Sequence, residues 1–169
     1  MKRNFNLVAF LSLFFILNNY IFSEEIKLVT LQYPPYEYKE DCKINGIVVK
    51  ILEEAFSRLD ISITIELYSW ARSLAMVRSG QADGIFTIYK TPEREEYLDY
   101  SNEILIPQSI SLFVLKDSPI TYNGDLDSLS EYRFGTVYKI SYGAKFDSAV
   151  EQGILKNIDP VNELEINIT

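Results

Sequence analysis

The sequence contains no histidine and a single cysteine, Cys42, among its 169 residues. Histidine is the commonest metal ligand and general base in proteins, so its absence argues against a metal-dependent enzyme. We therefore expect no metal and no other cofactor. A lone cysteine has no partner for an internal disulfide, even in an oxidising compartment.

Basic residues are also scarce. The chain has 16 Lys and Arg and 24 Asp and Glu, which gives a net charge of −8. Proteins that bind nucleic acid need a clustered basic patch, and attraction to an anionic membrane surface needs the same. The charge balance therefore argues against both classes of partner, and we expect neither nucleic acid nor a membrane. With 47% hydrophobic and 14% aromatic residues, the chain has the composition of a protein with a packed core.

The first residues predict export. Lys2 and Arg3 precede an apolar run from Phe5 to Leu17, and a short polar stretch ends near Ser23. This is the pattern of a secretory signal, and the run is shorter than the roughly 20 apolar residues of a membrane-spanning helix. We predict a signal peptide over residues 1–23 and a periplasmic location. No cysteine lies at this cleavage site, so no lipid anchor is expected.

From Glu25 onward, strand-like and helix-like segments alternate, which predicts parallel strands joined by crossover helices. The predicted elements are, in chain order, a strand at 26–30, a helix from Gly46 to Leu59, a strand at 61–67, a helix at 70–78 and a strand at 84–89. The alternation in the second strand suits the edge of a sheet. Ser69 is the predicted N-cap of the second helix, and Thr91 caps a short helix that begins at Pro92.

The second half of the chain has fewer elements. The sequence predicts a strand at 109–115, a turn at 117–124, a short helix at Leu126 and Leu129, a strand at 133–137 and a helix at 144–152. We divide the chain into a first lobe at 24–107 and a partial second lobe at 108–169. Such a short second region would bury little apolar area by itself.

Three unusual segments follow the predicted strands of the first lobe: Tyr33-Pro34-Pro35-Tyr36, Ser69-Trp70 and Thr87 to Arg94. Ligands of open parallel sheets bind beyond the carboxyl ends of the strands, so the topology brings aromatic rings, hydroxyls and one guanidinium to a single cleft. Each segment also has an ordinary structural explanation. The tyrosines would pack a loop, Trp70 would anchor the core, and Arg94 would pair with neighbouring glutamates at the surface.

The order and spacing of several motifs resemble family 3 of the bacterial extracellular solute-binding proteins. The motifs are Tyr33-Pro34-Pro35-Tyr36, Gly46, Ser69-Trp70, Ser79 to Gly84, Thr91-Pro92-Glu93-Arg94 and Tyr100-Ser101. The resemblance implies a type II periplasmic-binding-protein-like clamp, an α/β fold with two lobes of parallel sheet and a hinge at 106–109. It also implies a monomer that binds an amino acid or similar small carboxylate and delivers it to an ABC permease in the inner membrane.

The resemblance gives particular residues a role in binding. Arg94 matches the arginine that holds the ligand carboxylate, and a guanidinium suits this task because it offers parallel donors and stays ionised. Tyr33 and Trp70 match aromatic walls. The candidate ligand-binding residues are Tyr33, Tyr36, Trp70, Thr87, Tyr89, Arg94, Ser141 and Tyr142, the last two supplying hydroxyl and backbone donors from the second lobe.

The sequence also departs from the family. Val48 and Lys50 stand where many members carry an acidic residue, and family chains continue beyond the point where this one stops, so we expect a chain truncated at its C-terminus. One alternative is therefore a non-functional or partner-dependent fragment. A dehydratase or murein-cleaving enzyme and a sensor module on the same fold are further alternatives. The lack of a histidine, a serine triad or a diagnostic carboxylate pair argues against an enzyme.

Overall fold

The computed structural model describes residues 25–162, so the predicted signal peptide lies outside the described residues. Its elements are, in chain order, β1 Glu25–Thr30, β2 Tyr38–Glu40, β3 Lys43–Asn45, α1 Ile47–Ser57, β4 Ser62–Leu67, α2 Trp70–Arg78, β5 Gly84–Ile85, α3 Pro92–Glu95, a 3-10 turn Asp127–Leu129, β6 Arg133–Val137, α4 Ala144–Glu151 and β7 Asn157–Val161. Within this range, none of the helices has the length and apolar character needed to cross a membrane.

The first sheet is parallel, with the strand order β4–β1–β5. The central strand β1 is the most buried, and Val29 is fully inaccessible. β4 lies at the edge, as its alternating sequence predicts. β5 is shorter than predicted, because it ends at Ile85 and Thr87 adopts a φ of 54°. That conformation cannot continue an extended strand.

Helix α1 begins where the diproline loop meets it. Gly46 has a φ of 134°, and a Cβ atom at this position would lie 2.0 Å from the carbonyl oxygen of Tyr36. The same carbonyl accepts a hydrogen bond from the Val48 N–H at 3.0 Å, so the loop satisfies one free donor of the first turn. Val48 and Val49 are the fully buried residues of this helix.

Helix α2 has the bounds that the sequence predicts, from Trp70 to Arg78, and Gly80 follows it with a φ of 71°. Ser69 occupies the N-cap position, but its hydroxyl makes no capping hydrogen bond. The predicted N-cap position is therefore confirmed, although the side chain contributes no hydrogen bond to it. The short helix α3 does have its predicted cap, since the Thr91 hydroxyl accepts a hydrogen bond from the Arg94 N–H.

A second parallel pair, β6 and β7, is connected by α4. Its core contains the buried side chains Leu126, Leu129, Phe146, Ala149 and Leu155. Strand β7 was not predicted, because Asp159 and Pro160 make its sequence look like a loop. It pairs in register with β6 from Arg133 opposite Asn157 to Val137 opposite Val161.

The strand predicted at 109–115 is absent. Residues 107–115 have no regular structure, and no strand among the described residues pairs with them. A strand requires a neighbour to receive its backbone hydrogen bonds, so an apolar alternating sequence without one does not form a strand. Phe113 is 92% exposed and Leu115 is 85% exposed in consequence.

Candidate functional site

One cleft lies where the carboxyl end of β1, the start of α2 and the chain beyond β5 meet the turn that follows β6. Its empty space is about 520 Å³ and is partly open to solvent. The residues that line it are Leu31, Tyr33, Trp70, Thr87, Tyr89, Arg94, Gln108, Ile110, Ile140, Ser141 and Tyr142. The structure thus brings together every candidate residue from the sequence except Tyr36.

Arg94 forms the charged wall of this cleft. It belongs to α3 and is 6% exposed. Its Nη1 donates a hydrogen bond to the carbonyl oxygen of Tyr89 at 2.8 Å, and its Nη2 donates to that of Lys139 at 3.0 Å. The explanation of Arg94 as an exposed ion pair is wrong, because the nearby acidic side chain Glu95 pairs with Lys90 at 2.7 Å instead.

No carboxylate forms an ion pair with Arg94 within residues 25–162. A guanidinium carries five N–H donors, so two bonds to backbone carbonyls leave three donors for other partners. A buried charge is costly unless a counter-charge or hydrogen bonds compensate it. The two hydrogen bonds compensate this charge only in part, so the cleft presents a cation that has free donors and, within residues 25–162, no counter-charge.

Trp70 forms the aromatic wall beside this cation. The guanidinium carbon of Arg94 lies 5.6 Å from the centre of the indole ring, within the range of a cation–π contact. The indole N–H donates to the carbonyl oxygen of Lys139 at 2.8 Å. Trp70 also packs on Leu31 and Leu74, so it serves both the core and the cleft.

The two tyrosines of the diproline loop have different environments. Tyr33 lines the cleft, and its ring centre lies 5.1 Å from that of Tyr36. Tyr36 instead packs on the core formed by Leu28, Val48 and Phe86. The loop-packing explanation holds for Tyr36, which lies outside the lining of the cleft.

Thr87 and Tyr89 also line the cleft. The Tyr89 hydroxyl donates to the carbonyl oxygen of Gln108 at 3.2 Å, which ties the segment after β5 to the predicted hinge. Burial raises the pKa of Tyr33, Tyr89 and Tyr142 above the usual tyrosine value. All three therefore act as neutral hydroxyls near neutral pH.

Ser141 and Tyr142 reach the cleft, but their predicted donors have partners already. The Ser141 hydroxyl and the Tyr142 N–H both donate to the carboxylate of Asp147 in α4. The Tyr142 hydroxyl accepts a hydrogen bond from the Val137 N–H at 2.7 Å. A ligand must compete with Asp147 to use these donors.

Several lining residues were not predicted. Leu31 directly follows β1 and Gln108 lies in the predicted hinge, so the sequence could have indicated that both line the cleft. The burial of Glu37 could not be predicted, since a glutamate in a polar loop normally lies in solvent. Glu37 is fully buried beneath the cleft, its Oε2 has no hydrogen-bond partner, and burial raises its pKa to about 7.

The sequence and the fold are similar to those of known proteins. A model of the bacterial extracellular solute-binding proteins, family 3, matches residues 26–163. Among solved structures, a histidine kinase sensor domain with similarity to periplasmic binding proteins has a TM-score of 0.68 at 20% identity, covering 82% of this chain and 59% of its own. The arginine-, lysine-, histidine-binding protein ArtJ from Geobacillus stearothermophilus has a TM-score of 0.65 at 22% identity, covering 86% and 61%.

A third similar structure is an ancestral amino-acid-binding protein described as a precursor of cyclohexadienyl dehydratase. Its TM-score is 0.64 at 14% identity, and the match covers 85% of this chain and 63% of that one. This chain thus spans about three-fifths of the length of the structures it matches. Together these similarities confirm the predicted α/β, periplasmic-binding-protein-like fold.

Proposed function

We propose, since this chain belongs to family 3 of the bacterial extracellular solute-binding proteins, that its cleft binds an amino acid or a similar small carboxylate. The observation that carries the proposal is the buried, unpaired guanidinium of Arg94. A ligand carboxylate would supply the missing counter-charge and accept from the free donors. Charge-assisted, two-pronged bonds of this kind are among the strongest hydrogen bonds in proteins.

The aromatic walls complement this anion site. Tyr33 and Trp70 offer ring surface, and Leu31, Ile110 and Ile140 add aliphatic surface to the same cleft. A ligand with a carboxylate at one end and a side chain at the other fits this division into polar and apolar parts. A ligand without a carboxylate would leave Arg94 without a counter-charge, which is the basis of selectivity.

The first test is calorimetric titration of the full chain with a panel of L-amino acids, comparing the wild type with Arg94→Ala. We expect at least one member of the panel to bind the wild type. Truncating one partner of a buried charge pair costs roughly 2–5 kcal/mol, so affinity should fall by more than about 30-fold in the variant.

The matched control is Arg58→Ala. Arg58 is exposed and forms an ion pair with Glu54 within the same helix region, away from the cleft. The Arg58→Ala variant should bind the amino acids of the panel with the same affinity as the wild type. Affinity that is unchanged in Arg94→Ala, or no binding by the wild type to any carboxylate of the panel, would refute the proposal.

For the working cycle we propose hinge closure between a first lobe at 24–107 and a second lobe at 108–169. The support is that Trp70 and Arg94 on one side both donate to the carbonyl oxygen of Lys139 on the other. We further propose a periplasmic location and delivery of the ligand to an ABC permease. The extracellular family supports this location, and N-terminal sequencing of the exported protein tests cleavage after Ser23.

The alternative functions share ligand binding and differ in the step after it. Turnover of candidate substrates would indicate an enzyme, and coupling to a kinase would indicate a sensor. A chain that shows no thermal stabilisation by any amino acid would match the non-functional fragment. Binding without turnover favours the proposed solute-binding function.

A further inference from the structure

A second charged group lies beneath the cleft, outside its lining. The Glu37 side chain is fully buried, and within residues 25–162 it forms no ion pair. Its Oε1 accepts hydrogen bonds from the hydroxyls of Thr87 and, at 3.3 Å, of Thr30. Its Oε2 has no partner. This carboxyl is therefore poorly solvated by the protein, which penalises its charged form and favours its neutral form.

Thr87 connects this carboxyl to the cleft, because it lines the cleft and also contacts Glu37. Its hydroxyl lies 2.7 Å from the Phe86 carbonyl oxygen and 3.2 Å from the Thr30 hydroxyl. When Glu37 is ionised, the Thr87 proton points to the carboxylate. The hydroxyl oxygen then offers a lone pair to the cleft, strengthened by the negative charge behind it.

The backbone holds Thr87 in this position. Its φ of 54° is rare for a β-branched residue and costs free energy. Strain of this kind persists only where surrounding contacts enforce it, and the contacts of the Thr87 side chain are those to Glu37, Thr30 and Phe86. The cluster thus fixes a hydroxyl at the floor of the site in an orientation that an unrestrained strand would not adopt.

We propose that Glu37 is a positioning residue that supplies the negative charge opposite a ligand's ammonium group. It acts through the hydroxyl of Thr87, which lies between the Glu37 carboxyl and the cleft. Binding of a zwitterion therefore causes Glu37 to release a proton. This inference rests on the proposed function, because it assigns the second charged end of the same ligand. The carboxylate is held at Arg94, and the ammonium donates to Thr87. The proton leaves the Glu37 carboxyl for the buffer, and the carboxylate that remains balances the ammonium.

Few other groups near Glu37 could gain or lose a proton near neutral pH. Its own loop presents Tyr33, whose backbone exchanges hydrogen bonds with that of Glu37 and whose pKa burial raises further above neutrality. The neighbouring strands present Thr30, Phe86 and Thr87, none of which titrates. Burial raises the pKa of Glu37 itself to about 7, so the neutral form is populated at neutral pH.

The experiment is calorimetry of the full chain with two probes, the L-amino acid that binds most tightly in the panel and the carboxylic acid that lacks its α-amino group. Titrations in buffers of different ionisation enthalpy count the protons released. We expect the wild type to release protons with the amino acid and not with the des-amino acid. The amino-acid affinity should fall about tenfold from pH 8 to pH 6, because Glu37 with a pKa of about 7 must then lose a proton to bind.

The variant is Glu37→Gln, which keeps the size of the side chain and its hydrogen bond to Thr87 but cannot ionise. It should lose the proton release and the pH dependence, and the preference for the amino acid over the des-amino acid should shrink about tenfold or more. Thr87→Val should cause a similar loss, and the double variant should add little to either.

Unaltered proton release or an unaltered preference in Glu37→Gln would overturn this inference while leaving carboxylate binding at Arg94 intact. Failure of the wild type to bind either probe would instead refute the proposed function. The two failures are therefore distinguished by the wild-type titration alone.

Discussion

Glu37 and Arg94 are opposite charges that are both withdrawn from solvent and do not pair with each other. Each is placed by short local structure, Arg94 by a capped single-turn helix and Glu37 by the loop after the diproline. A buried guanidinium and a separate buried carboxyl, neither of which has a counter-charge within residues 25–162, suit a ligand that carries both signs. In the folded protein alone they are a cost in stability.

Stability should depend on pH through Glu37. Its pKa is raised from 4.5 to about 7 in the folded state, so the folded state binds the proton more tightly than the unfolded state. The tighter proton binding stabilises the folded state, and this stabilisation is fully present below pH 4.5 and is lost as the pH rises through 7. The free energy of unfolding should change by roughly 3 kcal/mol over this range. Urea unfolding of Glu37→Gln should lack this loss between about pH 4 and about pH 8. Parallel profiles of wild type and variant would contradict the assignment.

At the scale of elements, the junction between the diproline loop and α1 is the most constrained. A Cβ atom on Gly46 would overlap the Tyr36 carbonyl, and its φ of 134° disfavours any side chain. Gly46→Ala should therefore destabilise the fold by ~3 kcal/mol or more, which denaturant unfolding measures.

Gly80→Ala is the control for this substitution. Gly80 also has a positive φ, of 71°, but a Cβ atom there would meet nothing within 4 Å. Its cost should be only about 1–2 kcal/mol, the cost of the left-handed conformation. Equal effects of the two substitutions would show that the overlap with Tyr36 is relieved by a small shift.

The elements also show what the sequence could predict. Helix α2 could be predicted from Ser69 at its start and Gly80 after its end, since both signals are local. The strand predicted at 109–115 failed because pairing depends on a neighbour elsewhere in the chain, and β7 was missed for the converse reason, since pairing with β6 outweighs its proline. Arg94 was found through its motif, whereas Glu37 was missed because burial is a tertiary property.

At the scale of the whole molecule, the segment 109–115 is a liability. It carries exposed apolar side chains at Phe113 and Leu115 and pairs with no strand in the described part of the chain, although its sequence is typical of a strand. Unpaired apolar strands are templates for association between molecules. The monomer expected from the sequence should therefore hold only at low concentration.

Replacing Phe113 by lysine should reduce this association. Light scattering over a concentration series should show self-association of the wild type and a larger monomer fraction for Phe113→Lys, because the charge disfavours edge-to-edge pairing. Leu59→Lys is the control, since Leu59 is also exposed, at 66%, but lies outside the segment. Equal relief by both substitutions would indicate that net charge, and not this segment, controls association.

The bond from the Trp70 indole to the Lys139 carbonyl has a practical consequence. Trp70 is the sole tryptophan of the chain, and it contacts both the guanidinium of Arg94 and the turn beyond β6. Its emission therefore reports on one place only, without labels and without interference from other indoles. Quenching or a spectral shift during rapid mixing would record each opening and closing of the cleft in real time.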